Sequence, residues 1–143
     1  MTSKGSCLCG SITFSVSKFE PMVGNCHCRM CRKFHGAAFS TFADVKYENF
    51  KWLSGESFLQ SYRASNNTVR QFCKQCGSSL TFRSSNSDLH STIEIALATL
   101  DDEVKISPDA HIFVESKVGW YSPNDDLPCF RQYRDSEIIS PND

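Results

Sequence analysis

The chain lacks a dominant sign of charge. Its 15 lysines and arginines are balanced by 16 aspartates and glutamates, for a net charge of −1. That near-cancellation argues against a nucleic-acid binder, which carries a basic excess. It also lacks any apolar run near the ~20 residues that a membrane-spanning helix requires. The opening residues, "MTSKGSCLCGS", contain no apolar core of a signal peptide. Internal repeats and low-complexity blocks are missing too. No long segment shows the three-and-four spacing of an amphipathic helix. These absences lead to the expectation of a cytoplasmic protein with no membrane or nucleic-acid partner.

What the chain has is alternation and cysteine. Its 143 residues are 40% hydrophobic, enough for one domain with a core of its own. We expect a single domain over residues 1–135 and a loosely held tail over 136–143. Residues 11–17, "SITFSVS", place Ile12, Phe14 and Val16 on one face and hydroxyl side chains on the other, the mark of a half-buried strand. Short strands are expected similarly at residues 37–43, 50–53, 58–62, 68–72, 79–82, 91–100 and 111–115. Turn residues separate them, including Ser54-Gly55, Asn66-Asn67 and Cys76-Gly77. One short helix is expected to begin in "CRMCRK". About eight strands with polar turns predict an all-β fold, mainly antiparallel.

There are eight cysteines. In a reducing compartment that number points to metal or redox chemistry rather than a disulfide frame. Seven fall into three clusters: Cys7 and Cys9; Cys26, Cys28 and Cys31; Cys73 and Cys76. Zinc takes four ligands in a tetrahedron. "CKQCG" is a zinc knuckle, in which two thiolates converge and a glycine lets the backbone turn. A knuckle needs a second pair, and Cys7 and Cys9, also followed by a glycine, can supply it. The resulting four-thiolate site would be saturated and structural.

The stretch "NCHCRMCRK" then holds three thiolates, with a fourth metal position left for water or substrate, as catalytic zinc requires. A soft thiol ligand suits such a vacancy. Arg29, Arg32 and Lys33 crowd the same loop and could grip carboxylates. Other readings of these residues stand beside this one. His27 or His35 could close the cluster into a second structural site. Cys73 and Cys76 could be a redox pair, although such a motif needs a βαβ setting the chain does not offer. The three basic side chains could be a solvated surface run. Cys129 reads as a buried small hydrophobe, and His90 and His111 as packing residues on or beside strands. Trp120, Tyr121 and Phe130 could be an exposed patch for a protein partner, but closing the core is the reading we favour.

The order and flanks of these motifs, "GSCLCGSITF", "NCHCRMCRKFHGAAF", "LSGESFLQSYR", "FCKQCGSSL" and "HIFVESKVGWYSPNDDLPCF", resemble the glutathione-dependent formaldehyde-activating enzymes, whose domain is shared with centromere protein V. The resemblance runs along nearly the whole chain. It implies antiparallel sheets folded around zinc, as in a small zinc-bound exchange factor for Rab proteins. It implies two zinc ions per chain: Cys7, Cys9, Cys73 and Cys76 match the family's structural ligands, and Cys26, Cys28 and Cys31 its catalytic ones. It implies glutathione and formaldehyde as partners, joined as S-hydroxymethylglutathione by a carbon–sulfur lyase working in reverse. The founding enzyme is longer, so the metal sites carry over more firmly than the substrates. A non-catalytic zinc module binding a protein, or a metal-buffering thiol sensor, are the competing functions.

Overall fold

The structure, a computed structural model, describes residues 2–142. In chain order its elements are β1 (Ser3–Ser6), β2 (Thr13–Val16), β3 (Val23–Cys26), α1 (Arg29–His35), β4 (Ser40–Lys46), β5 (Phe50–Ser54), β6 (Leu59–Arg63), β7 (Val69–Cys73), β8 (Ser79–Arg83), α2 (Ser85–His90), β9 (Thr92–Ala96) and β10 (Ala110–Ile112). Short strands dominate, so the fold is all-β and mainly antiparallel. No described helix is long and apolar enough to cross a membrane.

The chain forms two compact units. One comprises the chain up to Pro21 together with Ala43–Lys105; the other comprises Met22–Phe42 and the chain from Ile106 onward. The first unit holds the antiparallel sheet β1-β2-β5 and the strand order β9-β8-β7-β6, with β4 from Ala43 onward beside β9. Its core follows from the alternation in "SITFSVS": Ile12, Phe14 and Val16 are all buried. Phe14 packs with Val16, Val45, Ile93 and Ile95, while Ile12 packs with Leu80 and the cysteines Cys7 and Cys73. The rings of Phe14, Phe50 and Trp52 lie 4.8 to 5.9 Å apart, centroid to centroid. Burying the Phe14 ring contributes roughly 2–3 kcal/mol.

Several expected elements shift. The strand expected at 37–43 runs over β4, three residues later. Residues 97–99 and 114–116 form 3-10 turns rather than strand ends, so β9 and β10 are short. The left-handed backbone at Phe113 (φ 55°) ends β10. β9 is buried at all five residues rather than on alternate ones, because Ile93 and Ile95 pack in the core around Phe14 while Thr92 and Glu94 are covered by α2.

Strands β1 and β3 and helix α2 carry no sequence signal of their own. β1 reads "SKGS", and its Gly5 sits opposite Phe14, where a Cβ would come within 2.3 Å of the ring. The missing side chain is what makes room for the aromatic. α2, "SNSDLH", has no apolar stripe. It is held by a capping box between Ser84 and Ser87, and by the Ser87 hydroxyl donating to Glu94 at 2.6 Å.

The second unit pairs β10 with β3 in parallel, and His111 of β10 also forms a parallel bridge with Cys129. Two backbone bonds tie the tail to the segment before it: Arg131 N–H to Glu137 O, and Ile139 N–H to Cys129 O.

Candidate metal centres

Two cysteine clusters form, one in each unit, and they are the groups the sequence marks out. The sulfurs of Cys7, Cys9, Cys73 and Cys76 all lie within 4.8 Å of one another, as do those of Cys26, Cys28 and Cys31. None of the eight cysteines is joined in a disulfide.

The four-cysteine cluster is built from two similar turns. In the first, Gly10 N–H donates to Cys7 O; in the second, Gly77 N–H donates to Cys73 O. Both glycines have φ +80°, a left-handed conformation that L side chains adopt only at a cost. Backbone and side-chain donors reach the sulfurs, from Ile12 N–H to Cys7 and from Gln75 Nε2 to Cys9, each at 3.3 Å. Cys7 and Cys9 are 3.6 Å apart and Cys9 and Cys73 3.9 Å. Four sulfurs around a zinc ion at about 2.3 Å stand about 3.8 Å apart, so the cluster has the dimensions of a zinc tetrahedron.

The thiols of this cluster are perturbed unequally. Burial pushes the Cys7 thiol up to about 11, the Ser78 hydroxyl holds Cys76 down at about 5, and Ser11 lowers Cys9. Sulfurs this close cannot all be thiolates unless a positive ion lies among them.

The three-cysteine cluster is local. Cys26 ends β3, Cys28 is the N-cap of α1, and Cys31 lies in its first turn; Cys28 Sγ accepts the Cys31 N–H at 3.3 Å. Gly36 closes α1 in a left-handed C-cap. Cys26 and Cys31 are buried. Hydrogen bonds with Cys28 and Cys31, and then burial, raise the Cys26 thiol far above its ordinary value. The donor set is soft and crowded and fits zinc equally well. No histidine, carboxylate or further cysteine joins this cluster among the described residues. His27 and His35 therefore do not close it.

The neighbouring cations are arranged unequally. Arg29 and Lys33 are exposed on α1. Arg32 is half-buried, and its Nη1 donates to Ser116 O at 2.8 Å. His27 enters a buried contact with His111 and Phe39. Burial pushes it down to about 4. His111 in turn meets Asp125, whose carboxyl it holds below the usual range. The sequence offers no sign of this chain of contacts, because its members lie 84 and 14 residues apart. Cys129 is buried, and burial raises its thiol. Trp120, read from the sequence as closing the core, is instead 76% exposed, while Tyr121 and Phe130 are half-buried. The ring of Tyr121 packs 5.6 Å from that of Phe39.

The family model for glutathione-dependent formaldehyde-activating enzyme matches residues 2–116. The chain belongs to that family. Among relatives, an uncharacterised lyase of Schizosaccharomyces pombe is 31% identical over 83 residues, a match covering 58% of each chain. The chain thus spans little more than half the length of that relative. A Halomonas elongata protein, provisionally named a glutathione-dependent formaldehyde-activating enzyme, is 26% identical over 148 aligned positions, covering 96% of this chain and 92% of its own. A solved structure of a Rhodobacter sphaeroides protein shares the fold, with a TM-score of 0.61 at 20% identity, over 71% of this chain and 91% of that one. The clusters that could hold metal are thus those of a member of this formaldehyde-activating family.

Proposed function

We propose that the protein is a zinc-dependent carbon–sulfur lyase that adds a thiol such as glutathione to a small aldehyde such as formaldehyde, or releases it. The observation that carries this reading is the Cys26–Cys28–Cys31 cluster, three converging thiols with no fourth protein ligand among the described residues. In this reading Cys26, Cys28 and Cys31 hold a catalytic zinc. Cys7, Cys9, Cys73 and Cys76 hold a second, structural one, and residues 1–135 work as one zinc domain. A zinc ion at the three-cysteine site would supply a place for a substrate thiol and lower its pKa, so that thiolate is present near neutral pH.

The chain's own residues then bind and orient. Arg29 and Lys33 are free to meet the substrate's carboxylates from the exposed side of α1. Arg32, anchored on Ser116, adds its charge from a fixed position. In the forward direction the thiolate sulfur bonds to the aldehyde carbon, the carbonyl π bond opens, and the oxygen takes a proton to give a hydroxymethyl thioether. Three thiolates leave a metal site with a negative charge, which suits holding and delivering a thiolate better than polarising a carbonyl. Such chemistry needs reduced thiols, consistent with work in the cytoplasm.

The test is metal content per chain on tag-free protein, before and after mild chelation, with and without glutathione. Two zinc ions, one lost to the chelator and protected by glutathione, is the expected result. Two zinc ions that both resist chelation, with glutathione making no difference, would overturn the enzyme reading. The exposed Trp120 then favours the alternative, a non-catalytic zinc module that binds a protein partner.

A further inference from the structure

The second unit does not treat its cations alike. Arg131 pairs with Glu115 and Glu137, and Arg134 pairs with Asp109. Arg29 and Lys33 are exposed on α1, where water solvates them. Arg32 and Lys117 differ from both groups. Each is half-buried, and neither meets a carboxylate among the described residues. What they touch is backbone: Arg32 Nη1 donates to Ser116 O at 2.8 Å, and Lys117 Nζ donates to Val118 O and to Tyr121 O, each at 3.3 Å.

A carbonyl oxygen satisfies a hydrogen but does not neutralise a charge, and partly burying a charge without a counter-ion is unfavourable. Both side chains have hydrogens left over. Arg32 Nε is buried, so the Nη hydrogens not taken by Ser116 are those left for a ligand. The two cations are neighbours, because Arg32 is tied to Ser116, the residue before Lys117. Behind burial and the adjacent His111, both oppose protonation of His27, so their charges reach one ring. Lys117 is also held in place. Its N–H closes the 3-10 turn at Val114–Ser116, Val118 after it is buried, and the Tyr121 ring rests on Phe39. An ammonium fixed in this way gives up little freedom when it meets an anion. Arg32 directly follows Cys31, which places the pair beside the three-cysteine cluster.

We propose that Lys117 and Arg32 form an anion subsite that takes a carboxylate of the substrate thiol and makes the three-cysteine site selective for anionic thiols. The selectivity for thiols rests on the thiol–aldehyde reading above; the anion subsite does not. Arg32 contributes a planar fork that fits a carboxylate, and Lys117 a compact point charge. The exposed Arg29 and Lys33 are left a weaker, solvent-screened share of the same attraction.

The experiment measures how much glutathione, or its diethyl ester, is needed to protect the metal of the zinc-loaded full-length protein from a chelator. The ester keeps the thiol and loses the carboxylates. Glutathione should protect at concentrations about tenfold or more below those of the ester, the worth of one hydrogen bond to a charged group. Lys117→Met should remove most of that advantage while zinc content and protection by the ester stay as in the parent. Equal protection by the two compounds in the parent overturns the subsite. So does a Lys117→Met protein that keeps the parent's preference, or one in which both compounds weaken equally, the mark of a purely structural role. If neither thiol protects the metal, the thiol reading falls and the subsite is read alone, by calorimetry with S-methylglutathione. Weaker binding to Lys117→Met than to the parent then sustains it; no binding to the parent, or equal binding to both, overturns it.

Discussion

The two cysteine clusters differ first in how far the chain travels to build them. Cys9 and Cys73 are 64 residues apart along the sequence, whereas Cys26, Cys28 and Cys31 fall within a strand end and one helical turn. A metal bridging the distant pair closes a long loop, and its binding free energy becomes folding free energy. A metal in the local cluster closes almost nothing. In the proposed reading the first cluster holds its unit together, and a metal in the second could exchange a ligand without unfolding the chain. Their surroundings differ accordingly. The distant cluster packs against Ile12 and Leu80 in an apolar core. The local one adjoins a polar chain of two buried histidines and a surface carboxylate.

The contrast is sharpest in paired substitutions. Cys73→Ser should unfold or aggregate the protein, since structural zinc contributes on the order of 10 kcal/mol in small zinc domains. A folded Cys73→Ser protein with the parent's melting curve would break the comparison at its root. Cys28→Ser should instead lose one metal ion and all glutathione protection. Its melting point should change little, because serine is itself a preferred N-cap for α1. Metal analysis and thermal unfolding on the same samples would separate the two effects.

A proton offers a lever on the first unit that leaves its cysteines intact. Burial raises the Glu94 carboxyl from its ordinary value to about 7. Because the folded state holds this proton more tightly than the unfolded chain, stability is fully present below about pH 4.5 and declines as pH rises to about 7. The whole effect is at most about 3 kcal/mol. Glu94→Gln should flatten that slope in denaturant titrations of the zinc-loaded protein. An unchanged slope would assign the pH dependence to other groups.

Smaller effects test the details of each cluster. Gly77→Ala meets no atom within 4 Å, so its cost is that of the left-handed backbone alone, about 1–2 kcal/mol. It should lower the melting point and loosen the structural metal, leaving the chelatable one unaffected. Arg29→Ala with Lys33→Ala, both exposed, should weaken glutathione binding by less than about fivefold per residue, as expected of solvent-exposed charge pairs. Calorimetry that found no change would return these side chains to the role of a solvated surface.

The sequence by itself determined the all-β class, the strand alternation around Phe14 and the membership of both cysteine clusters. Alternation and ligand spacing are local properties, readable wherever neighbouring residues cooperate. It did not determine β1 or α2. "SKGS" pairs with β2 where Gly5 leaves room for Phe14, and "SNSDLH" is held by its Ser84–Ser87 capping box together with the distant Glu94. Nor did it determine the surroundings of the local cluster. His27, His111 and Asp125 share no spacing, and only the tertiary fold brings them into one hydrogen-bonded chain. The exposure of Trp120 was likewise decided in three dimensions, since a lone aromatic in a loop carries no periodicity to say which way it faces. Motifs whose parts are close in sequence were legible, and the distant cysteine pairs could be joined because zinc takes four ligands; the other contacts between distant segments were not, because nothing local records the partner.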